Sequence, residues 1–73
     1  MRYEEFRDAV AGELRANRDG LTWAQLKRRL RLPYRTPCYE WLARMEKDVG
    51  LTREPGEGRA YVWTVRGGGG TSR

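Results

Sequence analysis

The most constraining feature of the sequence is a helix-start signal at residues 21–26. Thr22 and Gln25 have the T-x-x-Q spacing of a capping box, in which each side chain bonds the backbone N–H of the other residue. Leu21 and Leu26 flank the box at the spacing of a hydrophobic staple. The pattern predicts an extended entry followed by a helix over residues 23–30 or 31.

A helical stripe precedes this signal. Tyr3, Phe6, Val10 and Leu14 recur at steps of three and four, which places them on one face of a helix. The Asp-Gly pair at residues 19–20 is a stop signal. The pattern predicts a first helix over residues 2–17.

A third helix is predicted over residues 36–49. Pro33 cannot continue the second helix, so residues 32–35 form a short turn. Thr36 and Pro37 then fit a cap residue and a first helical position. Gly50 fits the stop. The stripe predicted to face inward is Cys38, Trp41 or Leu42, Met45 and Val49, and the outward face is Tyr39, Glu40, Ala43, Arg44 and Lys47.

Cys38 has two interpretations. At a helix N-terminus the pKa of a thiol can fall, which would favour redox sensing. The favoured prediction is a small buried core residue.

The last part of the chain changes character. Residues 51–54 form a short predicted strand, residues 55–58 a turn, and residues 59–66 a strand rich in β-formers. A hairpin is barely stable alone, so we expect it to pack on the helices, with the segment at Leu21 adding a third short strand. The alternation leaves open which face of the second strand is exposed. Residues 67–73 are predicted to be a flexible Gly-rich tail.

The overall charge points to a polyanion partner. The 73 residues carry fifteen bases, ten acids and a net charge of +5, and nearly all the bases are arginine. Arginine binds phosphates and guanine edges in a bidentate way, although a GC-rich coding bias would also enrich it. No apolar run is long enough to cross a membrane and no signal peptide is evident, so a cytoplasmic protein is expected.

Catalysis is not expected. The sequence has no histidine, no phosphate-binding loop after a strand, and no paired carboxylates in an evident cleft. A single cysteine provides no disulfide. We therefore predict a binding module without cofactor, metal or catalytic residues.

Three stretches resemble one family. They read G-L-T-x-x-x-L at residues 20–26, L-x-x-M-E-x-x-x-G-L-x-R at residues 42–53, and G-E-G-R at the hairpin tip, residues 56–59. In this order the chain resembles the winged helix-turn-helix domains of prokaryotic regulators. The resemblance implies an α+β fold of three helices followed by a β-hairpin wing, with residues 1–66 as the domain.

The resemblance also implies double-stranded DNA binding, in transcription regulation or as a chromatin-type protein, with helix 36–49 in the major groove and hairpin 51–66 as the wing. The residues expected at the bases are Arg35, Thr36, Tyr39, Glu40 and Arg44, with Lys47 beside them. The residues expected to hold phosphates are Lys27, Arg28 and Arg31, and those expected on the wing are Arg53 and Arg59.

One alternative stays open. Winged helices also serve as protein–protein interaction modules without DNA binding, so the fold alone does not decide the function. Glu40 on the expected reading face repels phosphate, which favours that alternative. A homodimer is also compatible with the sequence.

Overall fold

The computed structural model describes residues 1–56, 58 and 60–66; Glu57, the predicted wing residue Arg59 and the predicted tail, residues 67–73, lie outside the described residues. The described elements are α1 (Tyr3–Ala16), β1 (Leu21–Thr22), α2 (Trp23–Leu30), α3 (Tyr39–Asp48), β2 (Thr52–Pro55) and β3 (Tyr61–Thr64). Within these residues the chain is a small α+β fold of three helices and a three-stranded antiparallel sheet, compatible with a winged helix-turn-helix.

The sheet has the strand order β1-β3-β2, so β3 is central. Leu21 pairs with Trp63 across β1 and β3, which confirms the predicted third strand. Arg53 pairs with Trp63 from the other side. Pro55, which cannot donate to a ladder, lies at the end of the edge strand β2, a position that tolerates it.

The core lies between α1 and the other elements. The predicted α1 stripe is buried, and Phe6 and Val10 are about as buried as Leu26 of α2. From α3, Leu42 and Met45 are fully buried, as the helical spacing predicts. The inward faces predicted for α1 and α3 are therefore confirmed in their main residues.

The start of α2 matches the sequence prediction. The Gln25 N–H donates to Thr22 Oγ1 over 3.2 Å, and the Thr22 N–H donates to Gln25 Oε1 over 2.9 Å, which completes the capping box. At the other end Arg31 adopts a left-handed conformation with φ 55°, and its N–H bonds the Lys27 carbonyl. Both ends of α2 are thus closed by local hydrogen bonds.

The predicted start of α3 was wrong. The helix begins at Tyr39, and Cys38 is its cap residue, without a side-chain hydrogen bond. Thr36 and Pro37 belong to the connection, which spans residues 31–38 rather than four residues. The Arg35 carbonyl accepts hydrogen bonds from α2 side chains, so the connection is held against α2 before the chain turns into helix.

Cys38 was also placed wrongly. The prediction buried it on the inner stripe of α3, whereas its side chain is exposed. Because α3 begins at Tyr39, two residues after the predicted first helical position Pro37, Cys38 precedes the helix and is not part of its inward stripe.

Two glycines permit close approaches. Gly20 has φ +95°, and a Cβ there would lie 2.9 Å from the Trp63 carbonyl oxygen. Gly50 has φ +68°, and a Cβ there would lie 2.7 Å from Cβ of Arg66. Both positions therefore need glycine, since other residues rarely adopt these angles.

The face of β3 toward the helices is now defined. Trp63 points to the helices and is 3% exposed. Tyr61 lies on the same face, two residues along, but at the end of the strand it is 54% exposed. On the opposite face Val62 and Thr64 are half-buried. No helix among the described residues has the length and apolar character needed to cross a bilayer.

Candidate nucleic-acid interface

Five basic residues lie on the last turn of α2 and on the connection that follows, and four of them form one group. We call Lys27, Arg28, Arg31 and Arg35 the basic end of α2. Arg28, Arg31 and Arg35 are exposed, and within the described residues none of them lies in an ion pair. This end therefore presents uncompensated positive charge to solvent.

Local contacts hold the basic end together. Lys27 Nζ lies 3.5 Å from the Arg35 carbonyl oxygen, and Trp23 Nε1 donates to the same oxygen over 2.9 Å. Arg29 points elsewhere, because its guanidinium pairs with Glu13 of α1 over 3.0 Å. The sequence did not separate Arg29 from its basic neighbours, whereas the structure assigns it to the α1–α2 contact.

The outward face of α3 carries mixed charge. Glu40 and Lys47 are exposed on it, as predicted, and so is Ala43 between them. Over its ten residues α3 has three acids and two bases, so the helix itself has a net charge of −1. A phosphate backbone near this helix would gain little from its charge alone.

Arg44 contacts an aromatic ring of α1. Its guanidinium lies over the ring of Tyr3, 4.1 Å from the centroid, at the distance of a cation–π contact. Tyr3 also donates from its hydroxyl to Asp48 Oδ2 over 2.6 Å. Arg44 therefore lies on the edge of α3 that faces α1, and reaching a base edge would require it to leave this ring.

Burial raises the pKa of Tyr3 to about 12, and its hydrogen bond to Asp48 adds to the effect. Arg7 lies 3.8 Å from Asp48, so the carboxylate also has a cation beside it. The phenol is thus a stable donor at neutral pH. A hydrogen bond and an ion pair thus connect the start of α1 with the end of α3.

A cleft of about 580 Å³ opens between α3 and the hairpin. We call it the aromatic cleft. Its lining residues come from β1, α2, the connection to α3, α3 and the hairpin: Thr22, Trp23, Ala24, Pro37, Tyr39, Glu46, Arg53, Ala60, Tyr61 and Trp63. Of the predicted site residues that the structure describes, only Tyr39 and Arg53 come together here.

Arg53 is partly engaged inside the aromatic cleft. Its Nη2 lies 3.6 Å from Glu46 Oε2, and its guanidinium lies 5.9 Å from the centroid of the Tyr39 ring. Sequence reasoning placed Arg53 on the wing but missed Glu46 as its partner. Helical spacing puts Glu46 on the same side of α3 as Tyr39, a signal that could have identified it.

The aromatic residues of the cleft were also missed as a group. Trp23 and Trp63 stack with centroids 5.4 Å apart, which brings α2 and β3 together. Tyr39 belongs to α3 and Tyr61 to β3, and their side chains are 67% and 54% exposed. The period-two pattern of β3 placed Tyr61 and Trp63 on one face. It could not show that the helices cover Trp63 and leave Tyr61 exposed.

Cys38 is the one nucleophilic thiol of the chain. It lies on the rim of a second, smaller cavity of about 350 Å³, beside Phe6, Tyr34 and Trp41. Among the described residues no group of three potential metal ligands comes together.

Comparison with protein families, with characterised proteins and with solved structures found no significant match.

Proposed function

We propose that this chain is a winged helix-turn-helix module that binds double-stranded DNA, with α3 toward the major groove and the β2–β3 hairpin as the wing. The supporting observation is the uncompensated charge of the basic end of α2, next to an exposed α3. Residues 27–35 hold five bases and no acid. Positive charge of this density favours phosphate contacts.

The two helices would then have different tasks. The basic end of α2 would hold phosphates, which orient the protein but do not discriminate sequences. Glu40 and Lys47 on α3 would face base edges, where a carboxylate can accept from the amino group of cytosine. This arrangement gives the acidic residue on α3 a role in selectivity rather than in affinity.

The test is duplex binding followed by fluorescence anisotropy across salt concentrations. If phosphates are neutralised, the logarithm of the affinity falls linearly with the logarithm of salt, with a slope of about 0.9 for each phosphate contacted. We expect a slope of about three, from Arg28, Arg31 and Arg35. A chain that binds no duplex at about 50 mM salt is not a DNA-binding module of this kind.

The net negative charge of α3 favours one alternative, a protein-interaction module. Such a module would bind a protein partner and would not bind duplex DNA. The same titration separates the two, because only phosphate contacts give a steep slope.

A further inference from the structure

The proposed duplex binding assigns no role to the exposed aromatic rings of the cleft. Tyr39 and Tyr61, on its two sides, are large hydrophobic side chains left mostly exposed. By contrast, the Trp63 side chain, two residues along the same strand from Tyr61, is nearly buried. The exposed pair therefore presents aromatic surface that packing within the described residues leaves uncovered.

The rings of the cleft are contributed by three different elements. Tyr39 comes from α3, Tyr61 from β3, and the half-buried Trp23 from α2. Trp63 lies behind Trp23 with the two rings inclined at 21°, and the Trp23 indole N–H is bonded to the Arg35 carbonyl. The Trp23 ring is thus fixed in place before any ligand arrives, which reduces the entropy lost on stacking.

The cleft adjoins the basic end of α2. The hydrogen bond from Trp23 to Arg35 joins the aromatic surface directly to the connection that carries the arginines. Within the cleft the Arg53 guanidinium lies 3.6 Å from the Glu46 carboxylate and 5.9 Å from the Tyr39 ring centroid, so its charge is partly compensated there. A row of cations beside exposed aromatic rings is the combination that binds single-stranded nucleic acid, because the cations follow the backbone and the rings stack on bases.

We propose that the aromatic cleft binds an unpaired nucleobase, so that the preferred ligand is a DNA duplex with an adjoining single-stranded segment. This inference rests on the proposed duplex binding. The basic end of α2 contacts the backbone, and the first unpaired base stacks between Tyr39 and Tyr61. Stacking of this kind is tolerant of base identity, because every base has a π-face.

The experiment compares three probes: a blunt duplex, the same duplex with a short oligothymidine extension, and the extension strand alone. We expect the extended duplex to bind about 10-fold more tightly than the blunt duplex, the gain typical of one stacked base. Tryptophan emission should also change more with the extended duplex, since Trp23 lines the cleft.

Two substitutions at one position provide the matched control. Tyr61→Ala removes a stacking ring at an exposed position, and we expect it to abolish the gain from the extension while the affinity for the blunt duplex is kept. Tyr61→Phe keeps the ring and should keep the gain. Circular dichroism of both variants checks that the fold is intact, and Tyr39→Ala provides an independent second test.

The outcomes separate the two proposals. Equal, salt-dependent affinity for blunt and extended duplexes overturns the role of the cleft and leaves duplex binding intact. Equal loss of affinity for both duplexes in Tyr61→Ala also overturns it, because the ring then contacts paired DNA. Binding of the extension strand with no detectable binding of the blunt duplex overturns the duplex proposal. If Tyr61→Ala changes no nucleic-acid affinity, the inference fails and a protein segment becomes the expected occupant.

Discussion

The second and third helices are built in different ways. α2 is closed by its own residues, through the box of Thr22 and Gln25 and the left-handed Arg31. α3 has no side-chain cap at Cys38, and three of its charged residues, Arg44, Glu46 and Asp48, contact other elements. The difference shows that local sequence defines one helix of the pair, while tertiary contacts define the other.

The same two helices differ in charge. The basic end of α2 has its arginines free of carboxylate partners within the described residues, whereas α3 carries more acids than bases. A helix that attracts phosphate and a helix that does not can share one DNA site only if they act on different parts of it. The difference therefore predicts that affinity and sequence preference respond to different substitutions.

The largest expected effect is on duplex affinity, and it tests the difference in charge between α2 and α3. Arg28→Gln with Arg35→Gln removes two charges of the basic end and should lower duplex affinity roughly 50-fold at about 0.1 M salt, with a salt slope smaller by about two. Arg44→Gln with Lys47→Gln is the matched pair on α3. It should lower the slope by less than one and change the preference among sequences instead.

Equal slopes for the two double variants would mean that α2 and α3 share the phosphate contacts. Thermal unfolding of each variant belongs beside the titrations, because Arg44 also contacts the Tyr3 ring. A change in affinity counts only if the variant remains folded at the temperature of measurement.

The second prediction tests how α3 depends on α1. The pKa of Tyr3 is raised to about 12 in the folded protein, above its ordinary value of 10.0, so folding favours the protonated phenol. The contribution of the buried Tyr3 phenol to the free energy of unfolding is fully present below pH 10 and is lost as the pH rises through about 12. At pH 11 the loss is roughly 1 kcal/mol in the free energy of unfolding.

Urea unfolding at several alkaline pH values measures this loss. Tyr3→Phe has no hydroxyl to ionise, so its stability should decline less between pH 9 and pH 11 than that of the wild type. If both decline equally, other alkaline titrations dominate and the bond from Tyr3 to Asp48 does not govern α3.

The third prediction tests the local closure of α2. Thr22→Ala leaves the Gln25 N–H without its side-chain acceptor and should cost about 1 kcal/mol of stability. Thr22→Ser keeps the oxygen and should lose much less. A neutral Thr22→Ala in thermal unfolding would mean that packing, and not the capping box, determines where α2 begins.

The smallest effect is a gain. Cys38 precedes α3 without a side-chain cap bond, in an extended conformation with φ −82° and ψ 111°. Cys38→Ser supplies a hydroxyl acceptor at an exposed cap position and should stabilise the protein by about 0.5 kcal/mol. Cys38→Ala is the control and should give no gain. A destabilised Cys38→Ser, measured by thermal unfolding, would show that the thiol makes a contact that the hydroxyl cannot replace.

The sequence by itself determined the features that depend on neighbouring residues. The capping box predicted the start of α2 to the residue, because its two hydrogen bonds lie within four residues of chain. The helical stripes predicted the buried faces, since a period near 3.6 fixes which residues share a side. The alternation in β3 placed Tyr61 and Trp63 on one face, because residues two apart in a strand point to the same side.

Only the tertiary structure decided what depends on distant parts of the chain. The Arg35 carbonyl accepts from Trp23, twelve residues earlier, so the connection is held against α2, and Cys38 at its end is exposed. The contact of Arg44 with Tyr3 spans the whole helical part of the chain. The aromatic cleft needs three elements at once. No local pattern encodes such contacts, because they are set by how the elements pack.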